Sequence, residues 1–423
     1  MKGGDALVRC LELEGVRYIT GFAGGGLNVL FPALRTSETI KVFATRHERL
    51  GVEVADGYAR ATGQVGVAMT GSGPGATNTL TGIAGAYADN IPVLLLMGQI
   101  ALRNLGKEYQ QEVPSSIFDN LVKWKATITR VDEIPTIMRR AFTNLRSGSP
   151  GPVVIEMPQD IMAGEISDED FSYTPVGPGA KPSAAPADVE MAADLLVGAE
   201  YPVLNVGGGC LSADAADEVM ELAELLSMPV ASSLVAKGIF PEDHPLSLGM
   251  GIYPRSKYAS GPAMQINRKV DVVLAVGNSY RQPNGTDGRP FSPGVKLIHV
   301  NADPADLNKT YMADVPILAD AKLALRDIIN AVKDRVGPGR GGAKEEVVAE
   351  IQQARDKWLG EGYSVFTDES TPTNGYRVVY DLMQLVDKDK TVAIHDAGGS
   401  RGYVSPFWVT TRPPNHVGMG GMA

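Results

Sequence analysis

The sequence predicts an α/β protein built from successive doubly wound parallel-sheet domains. Three observations carry that prediction. Residues 1–163 alternate short β-rich runs with helical stretches. The same alternation resumes over roughly 191–336, after a Pro/Gly-rich segment. Glycines cluster where the β-rich runs pass into helices. Alternation of this kind places helices on both faces of a parallel sheet.

In the first block, Tyr18–Gly21, Lys41–Ala44, Val65–Thr70, Val93–Met97 and Val153–Glu156 read as strands. Gly4–Glu14, Glu48–Ala61 and Ala76–Ala88 read as helices, giving a domain over 1–165. "GEISDEDFSYTPVGPGAKPSAAPADVE" follows as an interdomain linker. A second domain over 188–336 opens with "PVLNVGGGCLSADAADEVMELAELL": strand, glycine turn, Ser212 as a helix cap, amphipathic helix. "VDVVLAVGN" and "VKLIHVNADP" are further buried strands. After a second linker, "RVGPGRGGAKEE", a third block over 345–423 shows one helix (Gly375–Val386) and one strand in "TVAIHDAGG". That block is too short for an α/β domain with its own core, so an incomplete domain is expected.

Bulk properties remove several function classes. Of the 423 residues, 44% are hydrophobic and 21% charged, as in an ordinary soluble protein with room for two or three cores. The net charge of −10 weighs against nucleic acid or an anionic membrane as the main partner. Cys10 and Cys210 lie far apart and imply no disulfide framework. The five histidines show no metal-ligand spacing. With neither a signal peptide nor a membrane-length apolar run in view, a cytoplasmic location is expected.

"TRHERLGVEVADGYARATG" (residues 45–63) poses the sharpest question. As a helix it puts Glu48, Gly51, Val52, Ala55, Tyr58 and Ala59 on one face. Arg49, Glu53, Asp56 and Arg60 form a charged face that reads as solvated. Glu48 thus accompanies a small-residue stripe, where a carboxylate is costly unless held. Thr45-x-x-Glu48 also fits a capping box, the simpler reading on spacing alone. The Gly/Ala stripe stays unexplained by capping and suits close approach by a backbone or a flat ligand.

Two glycine turns need weighing. "TGSGPGATN" (residues 70–78) reads as an anion cradle at a helix start or as a tight βα connection. It lacks the Lys-Ser/Thr of a P-loop and the spacing of a dinucleotide fingerprint. The "GGG" at 207–209 is followed by a strand that ends without the acidic residue expected for a ribose, which favours a tight connection there or a nucleotide role that is lost or optional.

Taken together, the segments resemble one family. "FAGGGLNVLFPAL", "TRHERLGVEVADGYARATG", "TGSGPGATNTLTGIAGAYADNIPVLLLMGQ", "YQQE", "VKW" and "GSPGPVVIEMPQDI" occur in the order and spacing of thiamine-diphosphate enzymes. The group is that of acetolactate synthase, pyruvate oxidase and benzaldehyde lyase. The likeness runs on through "GGGCLSADAADEVMELAELLSMPVASSL" and "NADPADLNKTYMADVPILADAKLAL" to "AIHDAGGSRGYVSPFW", covering nearly the whole chain. It implies a pyrimidine-binding domain, a central domain and the start of a diphosphate-binding domain. It also implies decarboxylation and carboligation of a 2-oxo acid, the cofactor serving as electron sink.

The same resemblance implies roles for individual residues. Glu48 matches the glutamate that hydrogen-bonds the aminopyrimidine ring and activates the cofactor. A carboxyl group with that task must exchange a proton near neutral pH, which an apolar setting favours. Gly24 and Gly25 match the glycine turn near the reacting carbonyl, with Ala23 where acetolactate synthases carry proline. Ser72, Gly73, Pro74, Gly75 and Asn78 match the loop around the pyrimidine of the partner subunit's cofactor. Gln111 matches the glutamine near the substrate adduct, and Gln110 replaces the usual phenylalanine. Gly398, Gly420 and Met422 match cofactor-domain positions, Met422 as the wedge beneath the thiazolium.

Two departures qualify the match. Ser279 stands where FAD-binding relatives place arginine, and "GMGIYP" replaces "GMHG", which weighs against FAD. The chain contains no Gly-Asp-Gly, the motif that holds Mg²⁺ on the diphosphate. A second polypeptide supplying those ligands is therefore expected, in a dimeric core or a heterotetramer of two large and two small chains; a shortened chain reads the same. Alternatives are an aldehyde lyase or acyloin-forming carboligase of this fold, and a non-catalytic regulatory paralogue. A nicotinamide dehydrogenase ranks last.

Overall fold

The computed structural model describes residues 1–107, 110–167, 169–251, 269–280, 294–337 and 344–418. Near residue 180 the chain divides into two compact units. In the first, strands β1 (Tyr18–Gly21), β2 (Lys41–Ala44), β3 (Gly66–Thr70), β4 (Val93–Gln99), β5 (Trp124–Thr127) and β6 (Val153–Pro158) form one sheet. The spatial order is β2-β1-β3-β4-β6-β5 and every pairing is parallel. The helices are α1 (Gly3–Leu13), α2 (Phe31–Thr36), α3 (Glu48–Thr62), α4 (Pro74–Asn78), α5 (Leu80–Ala88), α6 (Ile134–Arg146) and α7 (Gln159–Met162).

Side-chain alternation along the central strands gives each sheet face its own core. Leu94 and Leu96 of β4, with Val153 and Ile155 of β6, join α1 and α6 in one cluster. Val93, Leu95, Met97 and Val154 join Val52 and Ala55 of α3 and Ile83 of α5 in the other. The sheet is therefore doubly wound, as the sequence predicts. Its strands read as unbroken apolar runs because both faces are covered.

The second unit repeats the plan with β7 (Pro202–Val206), β8 (Val230–Ser232), β9 (Ser247–Met250), β10 (Val272–Val276), β11 (Lys296–Asn301) and β12 (Val315–Leu318). They lie in the order β12-β11-β10-β7-β8-β9, all parallel. Residues after 345 add β13 (Ala393–His395) and β14 (His416–Gly418), a two-stranded parallel pair. A small aromatic cluster of Phe366, Phe407 and Trp408 packs there. No helix among the described residues is long and apolar enough to cross a membrane.

Several local expectations are corrected. The predicted helix Ala76–Ala88 is two helices, α4 and α5, interrupted at Thr79. Ser212 ends the short helix Gly208–Ser212, its hydroxyl bonded back to Gly208 O at 3.3 Å, and does not cap the helix Ala216–Leu226. The first linker is partly structured. Phe171, Tyr173 and Val176 pack on the first core, and Glu14 accepts from the Tyr173 hydroxyl at 2.6 Å and Val176 N at 2.7 Å. Its last residues already belong to the helix Pro186–Gly198. The short strand β5, the helix α6 and the helices Glu345–Phe366 and Gly399–Phe407 carried no clear signal in the sequence reading.

Candidate active site

Helix α3 begins at Glu48, and the stripe behind that residue explains where the helix can lie. A Cβ on Gly51 would stand 2.8 Å from Gly21 Cα, and one on Gly66 would stand 2.0 Å from Ala55 O. One on Gly82 would meet Val52 Cγ1 at 2.8 Å. Glycine at these points lets α3 press its backbone against β1 and β3 and against α5. The Thr20 hydroxyl then donates to Gly51 O at 2.6 Å, fixing the helix along its axis. The Gly/Ala stripe therefore serves backbone contact and not a flat ligand, and Glu48 lies just beyond its end.

Capping of α3 differs from expectation. His47 is the N-cap, its Nδ1 accepting from Arg49 N at 3.1 Å, and Glu48 is the first helical residue. Thr45 donates its hydroxyl to His47 O at 2.9 Å, so no Thr45–Glu48 capping box forms. Glu48 is half-buried within this unit, not sunk in the apolar stripe. A carboxylate in a first turn is favoured by the helix dipole. Asn78, the last residue of α4, donates Nδ2 to Glu48 Oε2 at 3.0 Å.

The charged face of α3 is not uniformly solvated either. Asp56 is 3% exposed, and Arg60 bridges it at 2.5 Å and Asp89 at 2.9 Å. Burial opposes the Arg60 charge, but the two carboxylates outweigh it and raise the guanidinium pKa above its usual value. An i, i+4 pair reads the same in sequence whether exposed or covered. Only the fold brings in Asp89.

Loops following β1, β2, β3 and β4 meet at the carboxyl edge of the sheet, where ligands of open α/β sheets bind. Gly24 and Gly71 are in backbone contact, and Ser72 N donates to Gly25 O at 3.0 Å. Gly73, at φ 64°, has the positive φ and the absent Cβ that let it lie against Gln111, whose Cα is 3.0 Å from the Cβ position. Pro74 opens α4. A Cβ on Gly75 would stand 3.0 Å from Thr70 Oγ1 and 3.7 Å from Glu48 Oε1. The Gln111 side-chain oxygen lies 3.5 Å from Ser72 Oγ and 3.0 Å from the Cβ position of Gly25.

Glu48, Gly24, Gly25, Ser72, Gly73, Pro74, Gly75, Asn78 and Gln111 are thus assembled in one place. Gly398 belongs to the other unit, at φ 73° before the helix Gly399–Phe407. Gly420 and Met422 lie outside the described residues. Sequence reasoning missed Thr70, which is fully buried and whose hydroxyl has no hydrogen-bond partner among the described residues. It also missed the buried Gln99. Both are polar residues closing an apolar strand, the signal that was available.

In the second unit, Gly207 and Gly209 pack against Gly277: Cβ positions would lie 2.2 Å from Gly277 O and 2.6 Å from Gly277 Cα. That contact agrees with reading 207–209 as a tight connection. Among the described residues, no group of three or more His, Cys, Asp or Glu side chains is placed to hold a metal ion.

Comparison with known proteins bears on the same regions. Residues 1–119 match the model of the thiamine pyrophosphate enzyme N-terminal TPP binding domain, and residues 189–328 that of the thiamine pyrophosphate enzyme central domain. The chain is 35% identical to a probable acetolactate synthase large subunit of Methanocaldococcus jannaschii, aligned over all of this chain and 71% of the relative. It is 31% identical to the acetolactate synthase isozyme 3 large subunit of Escherichia coli K12, over all of this chain and 73% of the relative. Glyoxylate carboligase of Escherichia coli O157:H7 is 31% identical over 92% of this chain and 65% of its own length. The chain belongs to the thiamine pyrophosphate enzyme family, as an acetolactate synthase-like, thiamine-diphosphate-dependent enzyme.

Proposed function

We propose that this chain decarboxylates a 2-oxo acid and ligates the remaining acyl unit to a second carbonyl compound. The observation that carries the reading is Glu48, held by Asn78 at the carboxyl edge with its Oε1 toward Gly75 and the glycine loops. The residues present fit an aminopyrimidine. Glu48 offers a carboxylate to a ring nitrogen, the unpartnered buried Thr70 hydroxyl offers a further hydrogen bond, and Gly75 leaves space between them. When bound, thiamine diphosphate supplies an acidic thiazolium carbon and an electron sink. Asn78 occupies Glu48 Oε2, so a proton is held or accepted at Oε1. Ser72 and Gln111, beside the Gly25 turn, are the polar groups positioned to orient a substrate carbonyl or carboxylate.

In this assignment residues 1–165 bind the pyrimidine, 188–336 form the central domain and 345–423 begin the diphosphate-binding domain. Mg²⁺ would be held on the diphosphate by oxygen ligands contributed by further polypeptide, since the sequence contains no Gly-Asp-Gly. The proposed assembly is a hetero-oligomer with a dimeric core, in the cytoplasm. FAD has no part in the proposal.

The test uses the protein purified with its native companions. Carbon dioxide release from pyruvate and from glyoxylate is measured with thiamine diphosphate and Mg²⁺. Native mass spectrometry follows the subunits. Glu48→Gln should cut turnover by about 10²-fold or more without changing the assembly. Absence of turnover and of thiamine diphosphate binding in the intact assembly would move the non-catalytic reading to first place.

A further inference from the structure

Gln99 ends β4 fully buried, at the junction of three parts of the site. Its backbone lies under the first glycine turn: a Cβ on Gly26 would stand 2.7 Å from Gln99 N. Its side-chain Nε2 donates to Val113 O at 2.7 Å and to Glu156 Oε1 at 2.7 Å, and its Oε1 accepts from Ile100 N at 2.8 Å. Every polar atom of this amide is used. Glu156, on β6 and 4% exposed, accepts on its other oxygen from the Thr127 hydroxyl of β5. Among the described residues it forms no salt bridge. A buried carboxylate bonded only by neutral donors is costlier than apolar residues of the same shape. Packing alone gives no reason for it.

Val113 supplies one. It lies two residues beyond Gln111, which holds φ at 66°, a left-handed conformation that a non-glycine residue keeps only where its surroundings enforce it. On one side Gln111 rests on Gly73. On the other the chain is anchored through the Val113 carbonyl. We propose that Gln99 and Glu156 are positioning residues: Glu156 orients the Gln99 amide, and Gln99 holds Val113 so that Gln111 keeps its strained backbone beside Ser72 and Gly25. The kinetic half of this inference rests on the proposed role of Gln111. The structural half does not.

The test combines hydrogen exchange and kinetics on the full chain in its native assembly. Gln99→Met should speed amide exchange at Gly106, whose N–H is bonded by Glu112 next to Val113, at least tenfold and leave β4, β6 and α3 unchanged. Glu156→Gln should behave as wild type, because its amide can still accept from Gln99 and bond Thr127. Gln99→Met should lower kcat/KM as much as Gln111→Ala, and the double variant should be no worse than Gln111→Ala alone. Unchanged exchange at Gly106, or losses that multiply in the double variant, would overturn the proposal. If Gln99→Met does not fold, Thr127→Val leaves one Glu156 oxygen unbonded, and a several-fold rise in the same exchange is expected. Faster exchange with full activity in Gln111→Ala would uphold the positioning and remove Gln111 from the proposed site, so the two readings fail separately.

Discussion

Asn78 donates its side-chain amide to Glu48 across 3.0 Å, joining the last residue of α4 to the first of α3. Thirty residues separate them in sequence, and the bond sets which carboxylate oxygen stays available. Removing it leaves Glu48 free to rotate. Asn78→Ala should therefore lower kcat/KM about tenfold, the equivalent of one hydrogen bond of about 1.4 kcal/mol. Because Asn78 is exposed and Glu48 half-buried, the unfolding midpoint should hardly move. Steady-state kinetics of the assembled enzyme beside urea unfolding separates the two effects. Equal losses in both would mean that the bond is structural.

Backbone contact, not ligand contact, explains the small-residue stripe, and paired glycine substitutions test this. At Gly57 nothing among the described residues lies within 4 Å of a Cβ, so Gly57→Ala should stabilise α3 by about 0.5–1 kcal/mol. At Gly51 the Cβ would press on Gly21 Cα, so Gly51→Ala should destabilise by about 1–3 kcal/mol. Gly66→Ala, with Ala55 O at 2.0 Å, should be worse. Denaturant midpoints give the ranking, and a neutral Gly51→Ala would return the stripe to a ligand role.

These contrasts show what the sequence could and could not reveal. The helical period exposed the α3 stripe and placed Glu48 with it, because side-chain spacing is local. Strand edges such as Gly24 and Ser72 were readable from glycine-rich turns after apolar runs. Asp56 reads as solvated because Asp89, the second carboxylate on its partner Arg60, is brought in only by the fold. Gln99 and Glu156 are 57 residues apart, and no local pattern announces their bond. Strand β5, "WKAT", is a short edge strand with partly exposed residues, so it lacks the apolar run that marks its neighbours.

Burial pushes the His416 imidazole in the second unit down to about 3, reinforced by the Lys237 charge and by His395. In the unfolded chain a histidine titrates near 6.5. Below that pH the unfolded state binds a proton that folded His416 refuses, so stability falls as pH drops from about 6.5 toward 3. The slope is about 1.4 kcal/mol per pH unit for one such group. His416→Leu should flatten the dependence of the urea midpoint between pH 6.5 and 5, above the range where most carboxylates titrate. An unchanged slope would mean that His416 takes up its proton without unfolding.

Thr70 carries the last prediction. Its hydroxyl is fully buried, has no hydrogen-bond partner among the described residues, and lies 3.0 Å from the Cβ position of Gly75, which Glu48 Oε1 approaches from 3.7 Å. An unsatisfied buried hydroxyl costs the protein about 1–3 kcal/mol. In a chain without ligand, Thr70→Val removes that cost with little change of shape, so the variant should unfold at higher urea. If an aminopyrimidine satisfies the hydroxyl when bound, the same substitution should weaken thiamine diphosphate binding to the assembled enzyme about tenfold. The two effects have opposite signs, which distinguishes a ligand-facing hydroxyl from a packing one. Higher stability with unchanged affinity would place Thr70 outside the cofactor's reach, and lower stability would mean the hydroxyl is already satisfied by bound water.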